Sequence, residues 1–143
     1  MEAKPHLERA LLDAIAHLGA DSGTVHLKEP GRLVLRLAAS HGIPEGVLAV
    51  VSEVPWGKGM AGLAAERSVP VDACNLQTDR SGDVRPGARA TGLQGAIVVP
   101  MMQGADVVGT LGVGCKAERV FSRDETDWLM AHARRLAAEL EPA

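Results

Sequence analysis

Three closely spaced glycines, Gly57, Gly59 and Gly62, sit in Pro55-Trp56-Gly57-Lys58-Gly59-Met60-Ala61-Gly62-Leu63-Ala64-Ala65-Glu66-Arg67 and hand over to a run of strong helix formers. Glycine reaches backbone conformations closed to other residues, and the first N–H groups of a helix have no partner inside it. The pattern predicts a tight loop feeding a helix over residues 60–67. It also makes the junction a candidate seat for an anion or polar ligand. Trp56, Gly57, Lys58, Gly59, Met60 and Ala61 are therefore candidate ligand-binding residues. The Trp56 indole could wall a pocket and donate one hydrogen bond, or simply anchor the core. Lys58 could neutralise an anion, or be an ordinary solvated lysine.

The rest of the chain reads as one domain, residues 1–143. That length suffices to bury roughly two thirds of the unfolded surface. Net charge is −3, with Lys and Arg scattered, so no basic stripe marks a nucleic-acid surface. No apolar run approaches the ~18 residues that span a bilayer, and the N-terminus is too polar for a secretory signal. A cytoplasmic location with no membrane partner is expected. Cys74 and Cys115 form neither a disulfide framework nor a spaced zinc motif.

Leu7, Leu11, Ile15 and Leu18 place one apolar face on an N-terminal helix that Gly19 ends. Runs at 24–27 and 33–37 flank Glu29-Pro30-Gly31 and read as a hairpin. Pro44 opens a short helix over 45–51, packed over the sheet. A brief strand is expected over 69–72, and a second hairpin from 98–102 and 107–113 around Gly104. Ser122 with Glu125 is a capping box, followed by an apolar stripe of Leu129, Ala133, Leu136 and Leu140. This order implies an α+β fold: an antiparallel sheet with helices on its faces.

Residues 73–95 are rich in turn formers, and a long irregular connection in a compact domain is functional or disordered. The expectation is a ligand-covering lid over 75–91. Arg85 and Arg89 flank Pro86-Gly87 and could close on a carboxylate, nitrate or phosphate, or be plain solubility residues. Asn75 and Asp79 could bond a ligand, or their own backbone in turns. The five histidines share no metal-ligand spacing, so no metal site is expected. With 2% aromatics, the chain offers little flat wall for haem, and no cofactor is assigned.

Taken together, G-K-G-M-A-G before a helix, V-P ahead of the second hairpin, G-T-L-G-V in its second strand and F-S-R-D-E at the last helix resemble the GAF domain. This is the small sensory module of bacterial and eukaryotic signalling proteins. The resemblance spans nearly the whole chain. It implies terminal helices together on one sheet face, where they commonly pair two subunits into a homodimer. It also implies a pocket under central loops and helices on the other face. The free methionine-(R)-sulfoxide reductases are similar in size, but their loop cysteine is replaced here by Ala61. Cys115-Lys116 and Phe121 to Glu125 depart from the cyclic-nucleotide signature, and Cys74 is followed by Asn75 rather than the histidine usual for bilin attachment. The reading is thus a non-enzymatic sensor. Its small polar or anionic ligand sits near residues 56–62 beneath the lid, and lid ordering signals to a protein in trans. The alternatives are a reductase-like enzyme and a ligand-free dimeric scaffold.

Overall fold

Apolar residues recurring every three to four positions at both chain ends require two helices to share one apolar surface, and a computed structural model describing residues 3–79, 81, 84, 89 and 91–140 has that arrangement. In chain order the elements are α1 (Ala3–Leu18), β1 (Ser22–Lys28), β2 (Val34–His41), α2 (Glu45–Val51), β3 (Glu53–Pro55) and α3 (Gly59–Arg67). They continue with β4 (Val71–Ala73), β5 (Gly95–Gln103), β6 (Asp106–Cys115) and α4 (Arg123–Ala138). The strands form one antiparallel sheet in the order β3-β2-β1-β6-β5-β4. The expected α+β fold is present.

α1 and α4 cover one face. Leu7, Leu11, Ala14, Ile15 and Leu18 from α1 meet Leu129, Ala133, Leu136 and Ala137 from α4 over Val25, Ile97, Val99, Met101, Leu111 and Val113 of the sheet. Each large aliphatic side chain so buried contributes about 1.5–3 kcal/mol relative to exposure. The two helices are also tied to each other. Trp128 stacks on His17 at 3.8 Å between ring centroids and on His132 at 4.7 Å, and His132 Nε2–H donates to the Ala10 carbonyl at 2.8 Å. α4 starts at the predicted capping box: Glu125 N–H donates to Ser122 Oγ at 3.1 Å, and Ser122 N–H to Glu125 Oε1 at 2.8 Å.

The opposite face carries a smaller cluster of Met60, Leu63, Ala64, Val71, Ala73, Leu76, Val84, Leu93 and Ala96. α3 lies over this face. α2 matches the expected span but has no buried residue, and Val50 is 62% exposed. The hairpin strands run longer than expected, over Ser22–Lys28, Val34–His41, Gly95–Gln103 and Asp106–Cys115, and two further elements differ from expectation. The brief strand runs over Val71–Ala73 rather than 69–72, because it is the stretch after Pro70 that pairs with Ala96, Ile97 and Val98 of β5. β3 was not anticipated: Glu53, Val54 and Pro55 pair with Arg36, Leu35 and Val34, and three residues are too few for a periodic pattern to appear.

Candidate functional site

Between the second face of the sheet and its covering elements lies a cavity of about 300 Å³. This is the small end of the ~300–1,000 Å³ range typical of ligand pockets.

The floor follows from strand periodicity. Successive side chains point to opposite faces, so Ser22, Thr24 and His26 of β1 face the cavity while Val25 enters the helix-side core. β1 and β6 are in direct register, with Ser22 opposite Gly114, Thr24 opposite Gly112 and His26 opposite Thr110. On β5, Ala96 and Val98 stand opposite Gly114 and Gly112. Gly112 and Ala96 leave the middle of the sheet with little bulk, while the space beside Gly114 is taken by Leu93, whose Cδ1 lies 2.7 Å from where a Cβ would stand. A Cβ at Gly112 would come to 3.1 Å from Val98 Cγ2 and 3.8 Å from Thr24 Oγ1. Ile43 and α2 residues Val50 and Val51 form one wall. Gly59, Met60 and Ala61 at the start of α3 form another, and Leu76, Thr91 and Leu93 a third.

The lining is predominantly apolar. Glu53 is its charged member among the described residues, and its carboxylate pairs with Arg36 at 3.3 Å, both groups half in solvent. Ser22 is 1% exposed and His26 3%. Among the described residues, Ser22 Oγ, His26 Nδ1 and Thr110 Oγ1 are buried without a hydrogen-bond partner. The other imidazole nitrogen is engaged: His26 Nε2 lies 2.8 Å from the Val51 carbonyl. A carbonyl only accepts, so Nε2 carries the proton, and in the neutral ring Nδ1 is a bare acceptor. Burial pushes the His26 pKa below its ordinary value, and the bond to Val51 opposes this only partly.

That shift sets a pH dependence. Below about pH 6.5 the unfolded chain takes up a proton on His26 that the folded chain refuses, so the unfolded state binds more protons and stability falls as pH drops. The loss accumulates from about 6.5 down to the lowered folded value, at up to about 1.4 kcal/mol per pH unit, and is absent above pH 7. Glu125, held below the usual carboxylate value chiefly by the Ser122 N–H, adds its own loss only below about 4.5. Urea midpoints at pH 7.5 and 5.5 should show the His26 slope, and His26→Gln should flatten it. An equal slope in the variant would assign it elsewhere.

Of the sequence-predicted residues, Gly59, Met60 and Ala61 line the cavity. Trp56, Gly57 and Lys58 are not in its lining. Trp56 is half-buried, with its backbone N–H donating to the Leu33 carbonyl at 3.0 Å, and Lys58 is exposed at the helix start. The glycines of the loop have structural tasks. Gly57 and Gly59 take positive φ of 81° and 70°, and Gly62 packs where any Cβ would overlap the Pro55 carbonyl oxygen. Asn75, Asp79 and Arg89 also lie outside the lining and bond other parts of the protein, Asn75 Nδ2–H donating to Glu118 Oε1 at 3.1 Å. Asn75 Oδ1 accepts from Gln77 N–H at 2.9 Å, Asp79 Oδ1 from Ser81 N–H at 3.0 Å, and Arg89 donates to the Asp79 carbonyl at 2.7 Å. Arg85 and much of the expected lid lie outside the described residues; Leu76, Val84 and Leu93, which are described, are buried in the second cluster. Sequence reasoning missed Ser22, Thr24 and His26. Their signal was a polar residue at every second position of a strand, Ser22-Gly23-Thr24-Val25-His26, in a sheet expected to be covered on both faces.

Among the described residues no three His, Cys, Asp or Glu side chains gather as metal ligands, and no helix is long and apolar enough to cross a membrane. Cys74 is exposed and Cys115 buried on the helix side of the sheet; neither lines the cavity.

A terminal-helix pair on one face of a six-stranded antiparallel sheet and a small cavity on the other define an α+β domain with a pocket opposite its terminal helices. The model of the GAF domain matches residues 6–141, and the chain belongs to that family. No curated protein sequence matches it. Among solved structures it resembles the GAF domain of a phosphoenolpyruvate-protein phosphotransferase from Coxiella burnetii, with TM-score 0.82, 20% identity, and 96% of this chain covered against 81% of that one. It also resembles a type II free methionine-R-sulfoxide reductase from Thermoplasma acidophilum, with TM-score 0.78, 19% identity, and coverage of 95% and 90%. The free methionine-R-sulfoxide reductase of Neisseria meningitidis, solved with its substrate, matches at TM-score 0.79 and 18% identity, with coverage of 95% and 76%. At these identities the likeness is one of fold.

Proposed function

We propose that this GAF domain is a non-enzymatic small-molecule sensor whose ligand occupies the cavity between β1, β6 and β5 on one side and α2 and α3 on the other. The observation carrying this reading is the cavity itself: its floor carries little bulk at Gly112 and Ala96, and its wall includes α2, a helix with no buried residue. A ligand shifts a conformational equilibrium only through its different affinity for the two states. α2 is suited to carry that difference, since few contacts hold it and its end is tied to the floor through His26. The altered position of α2 would then be read by a signalling protein in trans.

A thermal-shift screen of small molecules against the reduced protein, repeated on Ala61→Leu, tests this. A true ligand at 100 times its Kd should add about 2.7 kcal/mol to the wild type, and most of that should vanish when leucine fills the wall of the cavity. A compound that stabilises both proteins equally binds elsewhere and sinks the reading. The reductase-like alternative rests on the structural neighbours. Position 61 lines the cavity but is alanine, and neither cysteine reaches it. Consumption of free methionine-R-sulfoxide with a dithiol reductant, lost in Cys74→Ser or Cys115→Ser, would favour the enzyme instead.

A further inference from the structure

We infer that Thr24 sets what the cavity accepts: its hydroxyl donates a hydrogen bond to a carbonyl or carboxylate oxygen of the ligand, seated on the bare stretch of floor at Gly112. The inference rests on the sensor reading and names the ligand group that its cavity recognises. Thr24 lies on β1, paired with Gly112 of β6 on one side and Ser40 of β2 on the other. Facing residues of neighbouring strands hold their Cβ atoms about 4.5–5.5 Å apart. Thr24 Oγ1 comes closer than that to the point where a Cβ of Gly112 would stand, 3.8 Å, so the hydroxyl leans toward β6. Residue 112 has no side chain to meet it. A Cβ there would also stand 3.1 Å from Val98 Cγ2 on β5. The bare spot therefore has an apolar edge at Val98 and a polar edge at Thr24, and all three residues line the cavity.

The hydroxyl at this edge is open and unspent. Ser22 Oγ and His26 Nδ1, the polar atoms without partners on the same strand, are sealed inside the protein. Thr24 is half-buried, and its Oγ1 is neither one of these sealed atoms nor hydrogen-bonded among the described residues. A hydroxyl has one proton to give and two lone pairs. A lone pair can stay empty at smaller cost than a donor, so the proton is the part that selects. Water serves it while the cavity is open. A ligand that displaces the water either takes over the bond or leaves an unpaired O–H against itself, so the site rejects an isostere that lacks the acceptor. An oxygen on a compact carbon skeleton suits both edges of the bare spot: the oxygen takes the Thr24 proton while the carbon packs on Val98.

The test uses three probes on the intact chain: acetophenone, its isostere α-methylstyrene, in which C=CH₂ replaces C=O, and benzoate. Amide shifts of Thr24, Val98 and Gly112 in ¹H–¹⁵N spectra locate binding and give Kd. Acetophenone should bind about tenfold more tightly than α-methylstyrene. A Kd for benzoate below that of acetophenone assigns the acceptor to a carboxylate, and one above it to a neutral carbonyl. Thr24→Val, which keeps the shape and removes the hydroxyl, should erase the preference over the alkene, and Thr24→Ser should keep it. Gly112→Ala places a methyl on the bare spot and should weaken acetophenone and α-methylstyrene alike. Equal Kd for ketone and alkene in the wild type, a preference that survives Thr24→Val, or an unchanged Kd in Gly112→Ala would overturn the inference and leave the sensor reading standing. The free protein gives a check that needs no ligand. With no partner to lose, Thr24→Val should have a urea midpoint equal to or above that of the wild type. A lower midpoint would show the hydroxyl already engaged within the fold and would overturn the inference too. If none of the three probes moves the cavity amides at the limit of its solubility, the sensor reading falls and this inference with it.

Discussion

Gly62→Ala should destabilise the domain by about 3 kcal/mol, a large part of the ~5–15 kcal/mol that holds an ordinary domain together. On propensity alone the substitution should help, since alanine is favoured over glycine inside a helix by about 1 kcal/mol. The surroundings reverse the sign. A Cβ at Gly62 would overlap the Pro55 carbonyl oxygen and come to 3.1 Å from the Gly57 nitrogen, and both are backbone atoms. Neither can step aside cheaply: Gly57 N–H donates to the Gly62 carbonyl at 2.9 Å, Lys58 N–H donates to Pro55, and Pro55 ends a strand paired with β2. Relief would require α3 to lift from the loop. A urea midpoint equal to or above that of the wild type would show that α3 and the loop are not held this closely.

The second large effect belongs to the other face. Leu111 is 0% exposed on the central strand β6, with Val25 and Val99 as its register partners and both terminal helices above. Leu111→Ala should cost about 2–5 kcal/mol, the transfer loss of the missing methyls plus the cavity left in a well-packed layer. Val50→Ala on α2 removes a side chain that is 62% exposed and should change stability by less than about 0.5 kcal/mol. Chemical denaturation of the pair measures how unequally the two faces contribute. Equal costs would contradict a domain whose strength lies under α1 and α4 and whose α2 is free to respond.

Long periodic segments were readable before any coordinates. The stripe from Leu7 to Leu18, the Ser122–Glu125 cap and the hairpin around Gly104 each repeat one instruction over many residues, and all formed where expected. β3 did not announce itself, because a three-residue strand is defined by its partner and not by its own pattern. The site was harder still. The glycine loop drew attention to residues 56–61, yet only Gly59 to Ala61 reach the cavity, since the Gly57 and Gly62 positions are explained by a turn and by close backbone packing. The cavity floor depends on which residues of β1, β6 and β5 fall opposite one another. Register joins Thr24 to Gly112 across 88 positions of chain, and no local motif encodes such a pairing.

The two outermost strands, β3 and β4, are three residues each, and prolines bracket them: Pro55 closes β3 and Pro70 precedes β4. Proline has no N–H to offer a neighbour, and a three-residue border gives an approaching chain almost no template. The outermost strands thereby offer little template for growth at either rim. Copies of this domain brought together at high concentration should not extend the sheet through β3 or β4.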